Sequence, residues 1–298
     1  MTHRFAWRCG RTTVRDEKAA MTCLSGRSAV LSIVGDPVAQ VALPRLFASH
    51  AAAQGLDAVL IPIQVAVGDL SSFLRALRAW RNSPGCVVTF PHKQAAASLV
   101  DEATPLARRL GVVNLIRRAG DGRLVGHLTD GTGFLAAARR HRFAPEGRRA
   151  LVIGAGGAGS AIAHALAEGG LRHLTLHDLS TARRDALLSL LAEDFPDLDL
   201  AAIPEVSARY DLVVNATAVG ADGRSLPLSL TGLSTPHLVA DVVTEPDITP
   251  LLAAARASGC AVQTGKDMAL GQIEAITDFL GLSGRQPAMP LPHEMMEG

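Results

Sequence analysis

Cysteine, net charge and long apolar runs are all scarce in this 298-residue chain. Its four cysteines, Cys9, Cys23, Cys86 and Cys260, stand far apart with no C-x-x-C pair. Neither a zinc site nor a disulfide framework is encoded, and a reducing, cytoplasmic setting is expected, with no metal. A formal net charge of +1 offers no basic field for a polyanion, so nucleic acid is not an expected partner. No stretch reaches the roughly eighteen consecutive apolar residues of a membrane-spanning helix, and a soluble chain without a membrane partner is expected. Internal repeats and low-complexity tracts are also missing.

Apolar material is plentiful instead. With 48% hydrophobic residues, the chain has enough for two α/β units of unequal size, which its length favours over a single core. Residues 1–28 carry Arg4, Arg8, Arg11, Arg15 and Arg27 with no convincing strand. They read as a disordered extension, or as a start placed too early with Met21 the true one. A secretory core is lacking, and Asp16 and Glu17 spoil a transit-peptide reading.

From Ala29 the pattern alternates. Ala29–Val34, Val59–Val65 and Cys86–Thr89 read as strands, with helices after Pro44 and over Leu70–Trp80, and this implies a parallel α/β unit. Strands at Leu151–Ile153, Leu174–His177, Leu212–Asn215, Leu238–Val243 and Ala261–Gln263, with helices over Ser160–Glu168 and Leu251–Ser258, make a second. Ala136–Arg142 followed by Pro145 and Gly147 reads as a helix end leading into it.

The second unit opens with the most informative run, Leu151-Val152-Ile153-Gly154-Ala155-Gly156-Gly157-Ala158-Gly159. A buried strand enters a helix through G-x-G-x-x-G. Gly154 permits the tight turn, Gly156 lets backbone approach a pyrophosphate, and Gly159 allows close helix–strand packing. The helix start then offers free N–H groups to phosphate. A second strand ends at Asp178, at the spacing of an acid that grips a ribose diol and repels a 2′-phosphate. NAD is therefore the expected cofactor, with NADP kept open by Arg183 and Arg184. A helix N-cap without cofactor contact is the other reading of Asp178.

Several further segments resemble the shikimate/quinate dehydrogenase family from Gly35 to Gln272. Gly85 to Lys93 resembles its G-x-N-V-T-x-P-x-K segment, whose lysine is catalytic. Gly111–Asn114 resembles G-A-V-N. Gly126–Gly131 resembles G-x-N-T-D-G, whose aspartate pairs with that lysine. Asn215–Gly220 resembles the N-A-T-P-x-G cofactor loop, Asp241–Leu252 resembles D-V-V-Y-x-P-x-x-T-P-L-L, and Gly265–Gln272 resembles G-x-x-M-L-x-x-Q.

The resemblance implies an α/β protein with the active site in an interdomain cleft. An N-terminal substrate-binding domain, 29–128 completed by 265–298, joins a Rossmann domain, 129–264. It implies reversible NAD(P)-dependent oxidation of a ring secondary alcohol to a ketone. Lys93 and Asp130 would be catalytic, and Thr89, Asn114 and Gln272 would orient a cyclic hydroxy acid or polyol. Gly154, Gly156, Gly157, Gly159, Asp178, Asn215, Thr217 and Gly265 would hold the cofactor. A monomer or homodimer is expected.

Alternatives stay open at this point. Lys93 also reads as a solvated helix-start lysine and Asp130 as a turn residue beside Gly131. Thr89, Asn114 and Gln272 read equally as strand-end, turn or helix residues. His92 is a second candidate proton carrier, or else a surface or helix-cap histidine. A dinucleotide-binding sensor or regulatory protein is the competing function. Rossmann enzymes resembling glutamyl-tRNA reductase or methylene-tetrahydrofolate dehydrogenase fit the glycines but not the Lys93-to-Asn114 segments.

The chain also departs from the family. Where the resemblance implies two serines that hold a substrate carboxylate, it has Val41 and Leu43. Val87 and Leu128 replace asparagines, and Thr244 replaces a tyrosine. Weak binding of shikimate is expected unless Gln40, Arg45 or the helix start after Pro44 compensates.

Overall fold

The computed structural model describes residues 24–204, 209–228 and 236–283. Met21, Cys9, Cys23 and the arginines before Leu24 lie outside the described residues, as does the stretch after 283. The fold begins slightly ahead of the expected boundary. Ser25 to Ser28 form a turn in which the buried Ser28 hydroxyl donates to Asp57 Oδ1 at 2.5 Å.

The chain runs β1 (Ala29–Gly35), α1 (Leu43–Gln54), β2 (Ala58–Gln64), α2 (Leu70–Ala79), β3 (Gly85–Val88), α3 (Lys93–Ala97), β4 (Glu102–Ala103) and α4 (Pro105–Leu110). It continues with β5 (Leu115–Arg118), β6 (Leu124–His127), α5 (Asp130–Arg140), β7 (Arg149–Ile153), α6 (Gly157–Glu168), β8 (His173–His177), α7 (Thr181–Asp194) and β9 (Asp199–Ala201). β10 (Leu212–Asn215), β11 (Leu238–Asp241), α8 (Pro250–Ala257), β12 (Ala261–Gln263) and α9 (Gly265–Phe279) follow.

The second sheet has the order β12-β11-β10-β7-β8-β9 with every pairing parallel. This doubly wound order reverses direction between β7 and β10, the switch point where such sheets bind ligands. Its strands are short apolar runs because both faces are covered. Along β7, Ala150 and Val152 enter the core beside α6, while Leu151 and Ile153 enter the one beside α8.

The first sheet has the order β2-β1-β3-β5-β6-β4; the three strands expected from the sequence, β1, β2 and β3, pair parallel, and the sheet is extended by strands that were not expected from it. β5 runs antiparallel to both β3 and β6. The β5–β6 hairpin turns at Gly120-Asp121-Gly122, where Gly122 has φ +90° and the Asp121 carboxylate accepts the Arg123 N–H. That cluster is an ordinary hairpin signal. The hairpin sets Asn114, just before β5, beside the end of β6, where its N–H bonds the His127 carbonyl at 3.1 Å.

Two helices tie the sheets together. α9 places Ile273 and Ile276 in the core of the first sheet with Phe47 of α1, and Met268 in a core of the second. α5 lies between α9 and α6 at a distance only small residues permit. A Cβ on Gly133 would stand 2.1 Å from Gln272 Cγ, and one on Gly131 would stand 2.5 Å from the Ala161 carbonyl oxygen. The start of α5 and the middle of α9 are thereby pressed toward one opening.

Candidate active site

A cavity of about 440 Å³ opens beyond the carboxyl ends of β1, β3, β7 and β10. Of the residues singled out in the sequence, Thr89, Lys93, Asn114, Asp130, Gly154, Gly156, Gly157, Asp178, Thr217, Gly265 and Gln272 line it. Asn215 and Gly159 stand behind the lining, and His92 is not part of it.

Lys93 begins α3 directly after the Phe90-Pro91 corner, and Asp130 begins α5. Their Nζ and Oδ2 meet at 2.5 Å, with side-chain exposures of 17% and 4%. Such a pair holds its geometry because separating the partners would leave a nearly buried carboxylate without a countercharge. Asp130 is therefore no solvated turn residue, and Lys93 is no free surface ammonium. The Lys93 stem packs on the glycine loop, where a Cβ on Gly157 would stand 3.1 Å from Lys93 Cδ.

Beside the pair runs a neutral network. The Asn114 amide donates to Thr129 Oγ1 and to Gln272 Oε1, each at 3.0 Å. The Thr129 hydroxyl reaches Gln272 Oε1 at 2.9 Å, and the Thr129 N–H donates to Asn114 Oδ1 at 2.7 Å. Three chain segments thus hold one another's polar groups beside the cavity. Thr129 was not singled out from the sequence. It sits inside Gly126–Gly131, but its partners lie 15 and 143 residues away.

The glycine loop has the shape a dinucleotide needs. Gly154 has φ +105°, and a Cβ on Gly159 would stand 1.9 Å from the Gly154 carbonyl oxygen, so each is confined to glycine. A Cβ on Gly156 would meet nothing within 4 Å. Gly156 caps α6 without any side-chain hydrogen bond, leaving the first N–H groups of α6 open beside the cavity. Phosphate oxygens fit there.

Asp178 is committed to this loop. Oδ2 accepts the Ala155 N–H at 2.7 Å, and Oδ1 accepts the Ser180 N–H at 2.7 Å and the Arg183 guanidinium at 3.0 Å. Burial alone would raise its carboxyl, but the two N–H groups and the guanidinium hold it below the usual carboxylate range. Ser180, not Asp178, caps α7. Asn215 is wholly buried and acts on its own loop, donating to the Val219 carbonyl and Asp241 while Oδ1 accepts from Thr217. Asp241, a second group not singled out, accepts from Asn215, Val243 and Thr249, while burial pushes its carboxyl upward. Gly265 opens α9 so close to the exit of β11 that a Cβ would stand 2.3 Å from the Val243 carbonyl oxygen.

His92 is neither a surface histidine nor a side-chain cap. It is 1% exposed, and its Nε2 meets the Val65 carbonyl at 2.7 Å, anchoring the corner that delivers Lys93.

The wall facing the first loop differs in kind. Val41, Leu43 and Val87 line the cavity with hydrocarbon. Leu128 does not line it and is core. Arg45 is exposed and outside the lining. The Gln40 amide donates to the Pro37 carbonyl at 3.3 Å, and the Thr244 hydroxyl donates across the opening to the Gln40 carbonyl at 2.8 Å. The start of α1 contributes a favourable dipole of roughly 0.3–1 kcal/mol, against several kcal/mol for stripping water from an unpaired carboxylate. Among the described residues, no group of three or more His, Cys, Asp or Glu side chains could hold a metal ion, and no helix is long and apolar enough to cross a membrane.

Residues 33–116 match the family model of the shikimate dehydrogenase substrate binding domain, and residues 136–222 match that of shikimate / quinate 5-dehydrogenase. A shikimate dehydrogenase (NADP(+)) of Rhodospirillum rubrum is 40% identical over 264 residues, covering 84% of this chain and 90% of its own. The chain belongs to the shikimate/quinate dehydrogenase family. As a member it is an NAD(P)-dependent oxidoreductase of α/β fold, with a substrate-binding unit ahead of a Rossmann unit. Among solved structures, the Thermus thermophilus shikimate 5-dehydrogenase in complex with NADP(H) and shikimate is 33% identical, with a TM-score of 0.75 over 90% of this chain and 97% of that one. The ligand-free 5-ketofructose reductase of a Gluconobacter strain is 28% identical, with a TM-score of 0.75 over 88% and 95%.

Proposed function

We propose that this chain interconverts a ring secondary alcohol and its ketone with a nicotinamide dinucleotide, and that Lys93 and Asp130 carry the proton. The observation that carries this reading is the nearly buried Lys93–Asp130 pair at 2.5 Å, lining one cavity with the open N-terminus of α6. The cofactor supplies the hydride acceptor and donor when bound. Lys93 Nζ takes the hydroxyl proton during oxidation and returns it during reduction. Asp130 holds that nitrogen in position, and the Asn114–Thr129–Gln272 network and Thr89 orient the ring hydroxyls. The open N–H groups of α6, with Thr217 and Gly265, take the dinucleotide. Asn215 acts one step back, by ordering the Thr217 loop.

The division into 29–128 with the last helix and 129–264 belongs to the same proposal, supported by the two sheets and by α9 packing on the first. A cytoplasmic setting is also proposed, in keeping with the two buried thiols Cys86 and Cys260. A sensor that binds dinucleotide without turnover would not need the Lys93–Asp130 pair, which favours the enzyme.

We assign the finer cofactor preference to NAD. The Asp178 carboxylate lies at the end of β8, where a 2′-phosphate would meet its charge, although the Rhodospirillum relative is named for NADP. Initial rates of ring-alcohol oxidation with each dinucleotide test both points. NAD is expected to give the higher kcat/KM. A strong NADP preference rejects the cofactor assignment, and dinucleotide binding without turnover of any cyclic hydroxy compound rejects the enzyme.

A further inference from the structure

The cavity's ionisable groups are already spoken for. Four charged residues line it, and they form two closed pairs, Lys93 with Asp130 at 2.5 Å and Arg183 with Asp178 at 3.0 Å. No further cation lines the cavity. Two polar side chains near the first loop are engaged, since Thr244 donates to the Gln40 carbonyl and Gln40 to that of Pro37, while Thr89 and Gln94 line the cavity as uncharged donors. The positions facing the first loop are the hydrocarbon of Val41, Leu43 and Val87. The start of α1 is the one nearby element that favours an anion, yet Ala42 caps it without a side-chain bond and Pro44 in its first turn has no N–H.

We infer that the substrate is an uncharged ring hydroxy compound, an inference that rests on the dehydrogenase reading above. Its hydroxyls face Lys93, Asn114 and Gln272, and a hydrocarbon or unionised substituent faces Val41, Leu43 and Val87. A carboxylate against the hydrocarbon of Val41, Leu43 and Val87 would lose its water without gaining a cation. An ester, methylene or hydroxymethyl group meets no such penalty, and its apolar atoms gain from burial. Discrimination follows from the same asymmetry, because an unpaired charge is rejected far more strongly than an added methyl group.

The test compares kcat/KM for shikimate, methyl shikimate and trans-1,2-cyclohexanediol in the wild type, Val41→Ser and Val41→Ser/Leu43→Ser, with dinucleotide binding followed by fluorescence. The wild type should use methyl shikimate at least ~10-fold more efficiently than shikimate. Val41→Ser should narrow that ratio, and the double variant should reverse it. The single variant stands alone if the double one fails to fold, because Leu43 is part of the core. A wild type that uses shikimate as well as its methyl ester, or better, overturns this inference and leaves the dehydrogenase reading intact. No turnover of any of the three compounds by any form, with dinucleotide still bound, overturns the dehydrogenase reading and this inference with it.

Discussion

The two walls of the cavity are built from opposite materials. On one side Lys93 and Asp130 pair at 2.5 Å, and Asn114 and Gln272 are bonded to each other and to Thr129 behind the lining at 2.9–3.0 Å, so their geometry is held without a ligand. On the other, Val41, Leu43 and Val87 offer the cavity only hydrocarbon, and Leu43 and Val87 also belong to the core of the first sheet. A buried polar network tolerates little change, because each lost partner leaves another group unsatisfied, whereas the half-buried Val41 can change character without stranding a polar partner. On the proposed reading, reaction chemistry belongs to the first wall and substrate choice to the second.

Removing a member of the polar wall should break the contrast most severely. Asp130→Ala is expected to lower kcat by 10²–10⁴-fold, roughly 3–5 kcal/mol in barrier, with dinucleotide affinity nearly unchanged. Steady-state rates with a separate binding titration measure this, and retained turnover would mean Lys93 needs no partner.

Acid should weaken the support behind that wall next. His127, whose carbonyl holds Asn114, stacks on Phe279 at 4.5 Å, and burial pushes its imidazole down to about 4. The unfolded chain takes up this proton from about pH 6.5 downward while the folded one stays neutral. Its contribution is therefore complete above pH 6.5 and is lost as pH falls to about 4, on the order of 3 kcal/mol. Urea midpoints across that window should fall less steeply in His127→Gln, and an unchanged slope would contradict the assignment.

A smaller effect is expected at the helix crossing. Gly133→Ala forces a Cβ toward Gln272 Cγ, 2.1 Å away, and should cost roughly 1–3 kcal/mol of stability while lowering turnover through a displaced Gln272. Thermal denaturation and KM read the two parts, and a neutral result would show that α9 yields freely. The smallest belongs to the other side. Thr244→Val removes the bond to the Gln40 carbonyl and should cost about 1 kcal/mol, with KM rising more than kcat falls. An unchanged KM would mean that this link does not shape the first loop.

What could be seen in the sequence divides along similar lines. The second sheet was legible because its strands are short apolar runs and its glycine loop has fixed spacing, so local pattern and tertiary role coincide. In the first sheet the parallel β1, β2 and β3 were legible, but the antiparallel β5–β6 hairpin was not, although Gly120-Asp121-Gly122 carries a hairpin signal. Lys93, Asp130, Asn114 and Gln272 were visible through resemblance, but Thr129 was not, since what matters about it is contact with residues far along the chain. The Gly131 and Gly133 crossings were hidden for the same reason. Asp178 was recognised as an acid at the right spacing, whereas its bonds to the Ala155 and Ser180 N–H groups depend on how the loop folds back. Leu128 was expected to matter to the substrate, but just past the end of β6 it packs into the core of the first sheet.

The central claim is that Lys93 moves the proton while the rest of the site binds and orients. Turnover of Lys93→Ala, measured alongside its dinucleotide dissociation constant, tests it most directly. The account predicts a fall in kcat of at least ~100-fold with the dissociation constant changed by less than about threefold. Near-normal turnover, or a loss explained wholly by weaker dinucleotide binding, would contradict it.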